Sequence, residues 1–262
     1  MIEDKQTEIS TLGEFGLIDH LTKNLPHINE STIRGVGDDA AVLRFRDTDI
    51  VVTTDLLLEG VHFDLTYVPL KHLGYKSAIA NISDVCAMNA TPRQITVSLG
   101  ISKRFTVEHM EQLYAGIRLA CEAYGVDVVG GDTTSSRQGL VISITAIGDA
   151  LADKLVFRDG AKDTDLICVS GDLGAAYMGL QVLEREKVAS VGIKDFEPDF
   201  HGKEYLVQRQ LKPEARRDII VELAKAGIKP TAMMDISDGL SSELLHICKQ
   251  SHTGCRVYED RI

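Results

Sequence analysis

The chain has 262 residues and a formal net charge of −11, with 44% hydrophobic and 26% charged residues. Those proportions describe a globular protein of one large or two ordinary domains and exclude a disordered or fibrous chain. The negative balance argues against a nucleic-acid backbone or an anionic membrane as principal partner, and it favours metal ions and cationic groups.

The five cysteines, Cys86, Cys121, Cys168, Cys248 and Cys255, are odd in number and form no C-x-x-C pair. Neither a disulfide framework nor a zinc site is expected, and a reducing, cytoplasmic setting is. The opening MIEDKQTEIS has no apolar stretch of signal-peptide type, and no run approaches the roughly 18 apolar residues of a membrane helix.

In chain order, Thr11 and Glu14 have capping-box spacing ahead of Phe15, Leu17, Ile18 and Leu21, which predicts a helix to Leu25. AVLRF (41–45) and DIVVTTDLL (49–57) read as strands able to pair directly, the second rich in β-branched residues. Helical spacing runs from Pro69 to Met88, with the proline in the first turn. A strand from Gln94 to Ile101, a helix from Thr106 to Tyr124 ended by Gly125, and strands at Val126–Val129 and Leu140–Ile147 complete an α+β first half.

Residues 149–164 lose periodicity and gather charge, so a domain junction is expected there, dividing the chain into 1–150 and 151–262. The second part reads as α/β. It has strands at Leu166–Ser170, Thr231–Ile236 and Cys255–Tyr258, and helices at Ala175–Arg185, Pro213–Ala226 and Gly239–Lys249. A polar, acidic stretch reaches to Glu204.

The residues that carry chemistry are aspartates at strand ends and turns: Asp38 and Asp39 in GVGDDAAV, Asp55 in TTDLLLEG, Asp84 in NISDVCAM, Asp132 in GGDTT, and Asp235 and Asp238 in DISDG. Any one Asp beside Gly is ordinarily a turn or a cap. Asp84 is different, because it falls inside a predicted helix, where Asp is a poor former, and shares a face with Asn81. Two carboxylates about 4 Å apart repel by roughly 4 kcal/mol at an effective dielectric constant near 20, so several converge only if protonated or bound to a cation. Magnesium takes oxygen ligands from a few carboxylates together with substrate phosphates, which points to phosphoryl chemistry.

The common nucleotide signatures do not apply. Gly35-Val-Gly-Asp-Asp-Ala40 matches G-x-G-x-x-A, but it lacks the flanking strand and helix and sets two aspartates where a pyrophosphate would lie. There is no Walker A sequence and no protein-kinase signature. Gly171-Asp-Leu-Gly174 reads as a tight turn, a lone His62 as an ordinary hydrogen-bonded residue, and Leu113, Ile117, Ala120 and Cys121 as a core stripe.

Taken together, GEFGLIDHL, GVGDDAAV, VVTTDLLLEGVHFD, YKSAIANISDVCAMNATP, VGGDTT and DISDGLSSELLHI resemble thiamine-monophosphate kinase, of the aminoimidazole ribonucleotide synthetase-like superfamily. The resemblance implies two domains. The N-terminal mixed sheet would join a second subunit in a barrel-like homodimer, and the C-terminal domain would be α/β. It implies transfer of the γ-phosphoryl group of ATP directly to thiamine monophosphate with Mg²⁺ and without a covalent enzyme intermediate. By motif, it implies magnesium ligation by Asp39, Thr53, Thr54, Asp55, Asp84, Asp132, Asp235 and Asp238, with Asp38 in support. Tyr114, Gly131, Asp132, Arg158 and Ser237 would contact ATP, and His62 the thiamine phosphate.

Two other readings stand beside it: an amidine-forming ligase of the same superfamily, and a non-catalytic Mg-ATP-binding module. Selenophosphate synthetase wants a reactive cysteine near the N-terminus, whereas the first here is Cys86, in a helix. The family continues with a Gly-Glu-Asp-Tyr segment and an aromatic residue against the thiamine. This sequence stops at Ile262, so a shortened C-terminal domain is expected.

Overall fold

The computed structural model describes residues 31–34, 37–46, 48–194, 196–258 and 260. The expected first helix and the GEFGLIDHL segment lie outside them. Six strands form one mixed sheet: β1 (Thr32–Arg34), β2 (Ala41–Phe45), β3 (Thr48–Leu58), β4 (Thr91–Ile101), β5 (Asp127–Ser135) and β6 (Leu140–Ala150). Their order is β1-β2-β3-β6-β4-β5. The two strands expected to pair directly do so, antiparallel, with Ala41 opposite Val52 and Phe45 opposite Thr48. β6 is antiparallel to both β3 and β4, and β5 runs parallel to β4 along the edge. A parallel pair needs a crossover, and α2 (Val107–Tyr124) supplies it.

Alternation of side chains along each strand gives the sheet one apolar face. Ile95, Val97 and Leu99 of β4 and Ile142, Ile144 and Ala146 of β6 are buried on it. The register puts Ala146 opposite Thr53 and Ile144 opposite Asp55, so Thr53, Asp55 and Leu57 share that face. Helix α1 (Leu70–Ala87) covers it, touching β3, β4 and β6, and α2 packs on α1. The two helices meet backbone to backbone. A Cβ on Gly74 would stand 2.0 Å from the Leu113 carbonyl oxygen, and one on Gly116 1.8 Å from that of Lys71.

The helix boundaries follow local chemistry. Pro69 is the N-cap of α1, one residue before the position expected for it. Thr106 and His109 form a reciprocal capping box on α2, and Gly125, at φ 64°, ends it.

Helices α3 (Ala175–Ser190), α4 (Glu204–Leu211), α5 (Arg217–Lys225) and α6 (Leu240–Ser251) follow β6. Two helix bounds need correction here. The helix expected to stop at Arg185 runs to Ser190; the acidic stretch reaches Glu204 as expected, and there α4, a helix not expected, begins and buries Val207 and Leu211. The helix expected from Pro213 starts at Arg217, because the Ala215 carbonyl accepts a 3.0 Å bond from the Tyr124 hydroxyl and ties that segment to α2.

The strands expected at 166–170, 231–236 and 255–258 have no ladder among the described residues, and Leu166 is 89% exposed. Alternating hydrophobicity marks a segment able to enter a sheet, and a neighbouring strand must still be present to make the ladder. Residues 231–236 are instead held by side-chain and backbone bonds to the β6–α3 connection: Thr231 Oγ1 donates to Asp165 and Met233 N to the Phe157 carbonyl. That brings Asp235 to the sheet. No helix among the described residues is long and apolar enough to cross a membrane.

Candidate active site

Asp84 sits in the last turn of α1, over the part of the sheet where β3 carries Thr53 and Asp55. Thr53 Oγ1 donates to Asp84 Oδ2 at 2.8 Å. One turn earlier, the fully buried Asn81 accepts from the Asp55 backbone N–H at 3.1 Å and donates to the Ser77 carbonyl at 3.1 Å. The helix therefore fixes β3 at the residue whose carboxylate matters, and Asn81 and Asp84 are placed within it by tertiary partners that outweigh their poor helix propensity. Ser83 Oγ donates to Asp235 Oδ2 at 2.7 Å, drawing in the segment before α6.

Asp38 and Asp39 enter from the turn before β2. Arg158, from the β6–α3 connection, grips Asp39 with two prongs, Nε to Oδ2 at 2.7 Å and Nη2 to Oδ1 at 2.6 Å. The Asp38 side chain is fully buried and accepts the backbone N–H groups of Asp39 and Arg158. Arg34 reaches it at 3.4 Å.

Asp39, Asp84 and Asp235 thus offer one carboxylate oxygen each within 4.8 Å of one another. They line a cleft of about 480 Å³ with Asp38, Thr53, Thr54, Asp55, Arg158 and Ser237. Burial, then repulsion from Asp235 and Asp55, pushes Asp84 up to about 8. Burial likewise lifts Asp235 to about 6 against the Ser83 hydrogen bond, and Asp38 to about 6 against the two N–H groups it accepts. Asp55 is raised by burial and held back by attraction to His62. Two arginines, Arg158 and Arg34, against five carboxylates leave negative charge crowded in a poorly solvated place, where a divalent cation lowers the energy most.

A second cavity measures about 300 Å³. Leu57, the next inward residue of β3 after Asp55, lines it, together with His62, Tyr67, Leu73, Lys76 and Lys187. His62 Nδ1 accepts the Leu58 backbone N–H at 3.0 Å, which leaves the ring proton of neutral imidazole on Nε2.

Among known protein families, residues 37–150 match the model for AIR synthase related protein, N-terminal domain. Thiamine-monophosphate kinase of Aquifex aeolicus is 35% identical over 97% of this chain and 76% of its own length, and that of Bacillus subtilis 32% identical over 96% and 74%. A solved structure described as AaThiL complexed with AMPPCP and TMP superposes with a TM-score of 0.80 at 34% identity, over 95% of this chain and 74% of that one. The chain belongs to the thiamine-monophosphate kinase family. Its fold is that of the aminoimidazole ribonucleotide synthetase-like superfamily.

Of the residues singled out by the kinase motifs, Asp39, Thr53, Thr54, Asp55, Asp84, Asp235, Arg158 and Ser237 border the one cleft. The Thr54 hydroxyl is not free for a ligand. It points to the opposite sheet face, donating to the Ile144 carbonyl at 3.1 Å and accepting from Thr145 at 3.0 Å. Asp132 and Gly131 lie on exposed edge strand β5, separated from β3 by β6 and β4, which is about 14 Å at ordinary strand spacing. Gly131 has φ 153°, and a Cβ there would meet the Val97 carbonyl oxygen at 1.8 Å. Asp132 stands opposite Ser98, on the sheet face away from α1. Tyr114 packs against the core from α2, His62 lines the second cavity, and Asp238 is exposed just before α6.

The Gly171–Gly174 turn serves structure: Asp172 holds Arg209 at 3.0 Å and Tyr205 at 2.6 Å. Sequence reasoning missed Ser83 and Lys76. A lysine amid the buried residues of α1 was the available signal for the latter.

Proposed function

We propose that this chain phosphorylates thiamine monophosphate with ATP, giving thiamine diphosphate and ADP. The observation that carries the reading is the convergence of Asp39, Asp84 and Asp235 within 4.8 Å, in a chain of this kinase family. Three oxygen donors at that separation, crowded enough to raise two of their pKa values, fit the hard cation Mg²⁺ and no soft metal. Asp39, Asp84 and Asp235 would hold it, with Asp55 adjacent. Bound there, the ion would neutralise charge on the transferring phosphoryl group.

In the transfer, an oxygen of the acceptor phosphate bonds to the γ-phosphorus as the bond to the β,γ-bridging oxygen breaks, and ADP carries off that electron pair. No protein nucleophile is needed, and the chain's own work is positioning. Thr53 and Asn81 fix the carboxylates of α1 against β3, Ser83 fixes Asp235, and Arg158 joins the Asp38–Asp39 turn to the cleft.

Asp132 and Gly131 reach such a site only from a second copy. Every residue of β5 is exposed, Val129 by 58%, and this favours a homodimer formed through that edge. A reducing cytoplasmic location accords with the five free cysteines.

ATP labelled in the γ position, offered with thiamine monophosphate, with thiamine, and with no acceptor, tests the proposal. Label in thiamine diphosphate only, and only with the monophosphate, is the expected result. In a fourth arm with a ribonucleotide amide and its nitrogen donor, labelled inorganic phosphate formed solely there would assign the chain to the amidine-forming ligases instead. ATP retained without turnover under every condition would leave a binding module.

A further inference from the structure

Five carboxylates, Asp38, Asp39, Asp55, Asp84 and Asp235, line the cleft with one guanidinium, that of Arg158, and an acceptor phosphate brought to them carries further negative charge. Something cationic has to hold it on the acceptor's side. The second cavity lies one inward step along β3: Asp55 and Leu57 are successive inward residues of β3, about 7 Å apart, and Asp55 feels His62 across that step.

Most cations lining the two cavities are already engaged. Arg158 is held by Asp39, and Lys187 by Asp64 at 2.7 Å and Glu184 at 3.6 Å, above the Tyr67 ring. Lys76 is the exception. No carboxylate among the described residues pairs with it, and it lines the second cavity from α1. Burial lowers its pKa, and no neighbouring charge opposes that. An isolated ammonium in such a place is a standing cost to the fold, and a bound anion would remove it.

Its position on α1 fits the role. Lys76 and Ser83 are seven residues apart, hence nearly in line on the helix and about 10 Å apart along it, and Ser83 is the residue that donates to Asp235. Lys76 lines the second cavity while Ser83 and Asp84 stand at the first, so an anion shared between the two cavities would meet the ammonium at one end and the carboxylate side at the other.

We infer that Lys76 binds the phosphate of the acceptor, holding it next to the carboxylate cluster while the thiazolium-bearing remainder occupies the second cavity. The inference rests on the kinase reading and adds a residue to it. Lys76 is then a catalytic residue that touches substrate. Because the ammonium meets only the phosphate, its removal weakens thiamine monophosphate and leaves thiamine itself alone.

The test is steady-state kinetics of wild type, Lys76→Met and Lys76→Arg, with both substrates varied and with thiamine as a competing ligand. Lys76→Met removes an unpaired buried charge, so the fold is expected to tolerate it. Its KM for thiamine monophosphate should rise about 10- to 100-fold, the usual worth of a charged hydrogen bond. The KM for ATP and the inhibition constant of thiamine should stay within about twofold, and Lys76→Arg should recover part of the loss. An unchanged KM for thiamine monophosphate, or an equal loss of thiamine binding, would overturn the role given to Lys76 while leaving the kinase intact. A wild-type chain that makes no thiamine diphosphate overturns the kinase reading itself, and the acceptor assignment with it.

Discussion

Asp84→Asn is expected to lose at least about three orders of magnitude in product formation and yet to be the more stable protein when no divalent ion is present. The carboxylate is held in a poorly solvated place, above the sheet and beside Asp235 and Asp55, which pushes it up to about 8. A group whose folded pKa is raised contributes stability below its unfolded value, here near 3.8, and that stability is lost as pH climbs through the folded value.

The metal-free wild type therefore loses stability between about pH 4 and pH 8, whereas the Asp84→Asn variant, with a neutral amide in place of the carboxylate, does not. At pH 9 in EDTA the variant should be more stable by about 2–4 kcal/mol, or roughly 5–10 °C in Tm. Thr53 can still donate to the amide oxygen, so the local hydrogen bond survives. Melting curves at pH 5 and pH 9 check this. Coincident curves for the two proteins at pH 9 would mean that the carboxylate is not under electrostatic strain, and retained turnover would remove Asp84 from the site.

The second large effect concerns protons. Binding of Mg²⁺ at pH 7 should release about one proton, because Asp84 is mostly protonated there, Asp235 mostly is not, and ligation needs both carboxylates ionised. The apparent affinity should climb about tenfold per pH unit from pH 6 to pH 8 and level off above 8. Below 6, Asp235 takes up a proton as well and the dependence steepens. Calorimetry in two buffers of different ionisation enthalpy reads the proton count directly. Heats that do not depend on the buffer, with an affinity flat from pH 6 to pH 8, would contradict the crowded-carboxylate picture.

Much of the sheet was legible because its strands carry their own signature. β-branched runs at 49–57 and 140–147, alternating inward and outward, locate β3 and β6 to within a few residues. The helix at 70–87 was legible from spacing, and Asp84 within it from its poor fit to a helix. What sequence could not supply was the order β3-β6-β4, which depends on long-range pairing. Nor could it supply the fate of 166–170, 231–236 and 255–258, where the alternation is real but no neighbour completes a ladder among the described residues.

The site shows the same division. Motifs identified the aspartates, but only the register separates Asp55, on the helix-covered face, from Thr54 and Asp132, on the other. Strand order then sets Asp132 on the edge strand, three strands away from Asp55. Lys76 was hidden for a different reason: a single lysine in a helix is ordinary, and it becomes informative only when its cavity and its missing partner are known.

The central claim is that a carboxylate-held divalent ion at Asp39, Asp84 and Asp235 supports phosphoryl transfer to thiamine monophosphate. The most direct measurement is chromatographic detection of thiamine diphosphate from ATP and thiamine monophosphate, first with Mg²⁺ and then with excess EDTA. Product that appears with Mg²⁺, stops with EDTA and returns when Mg²⁺ is restored is the predicted result. Product formed equally in EDTA would contradict the account.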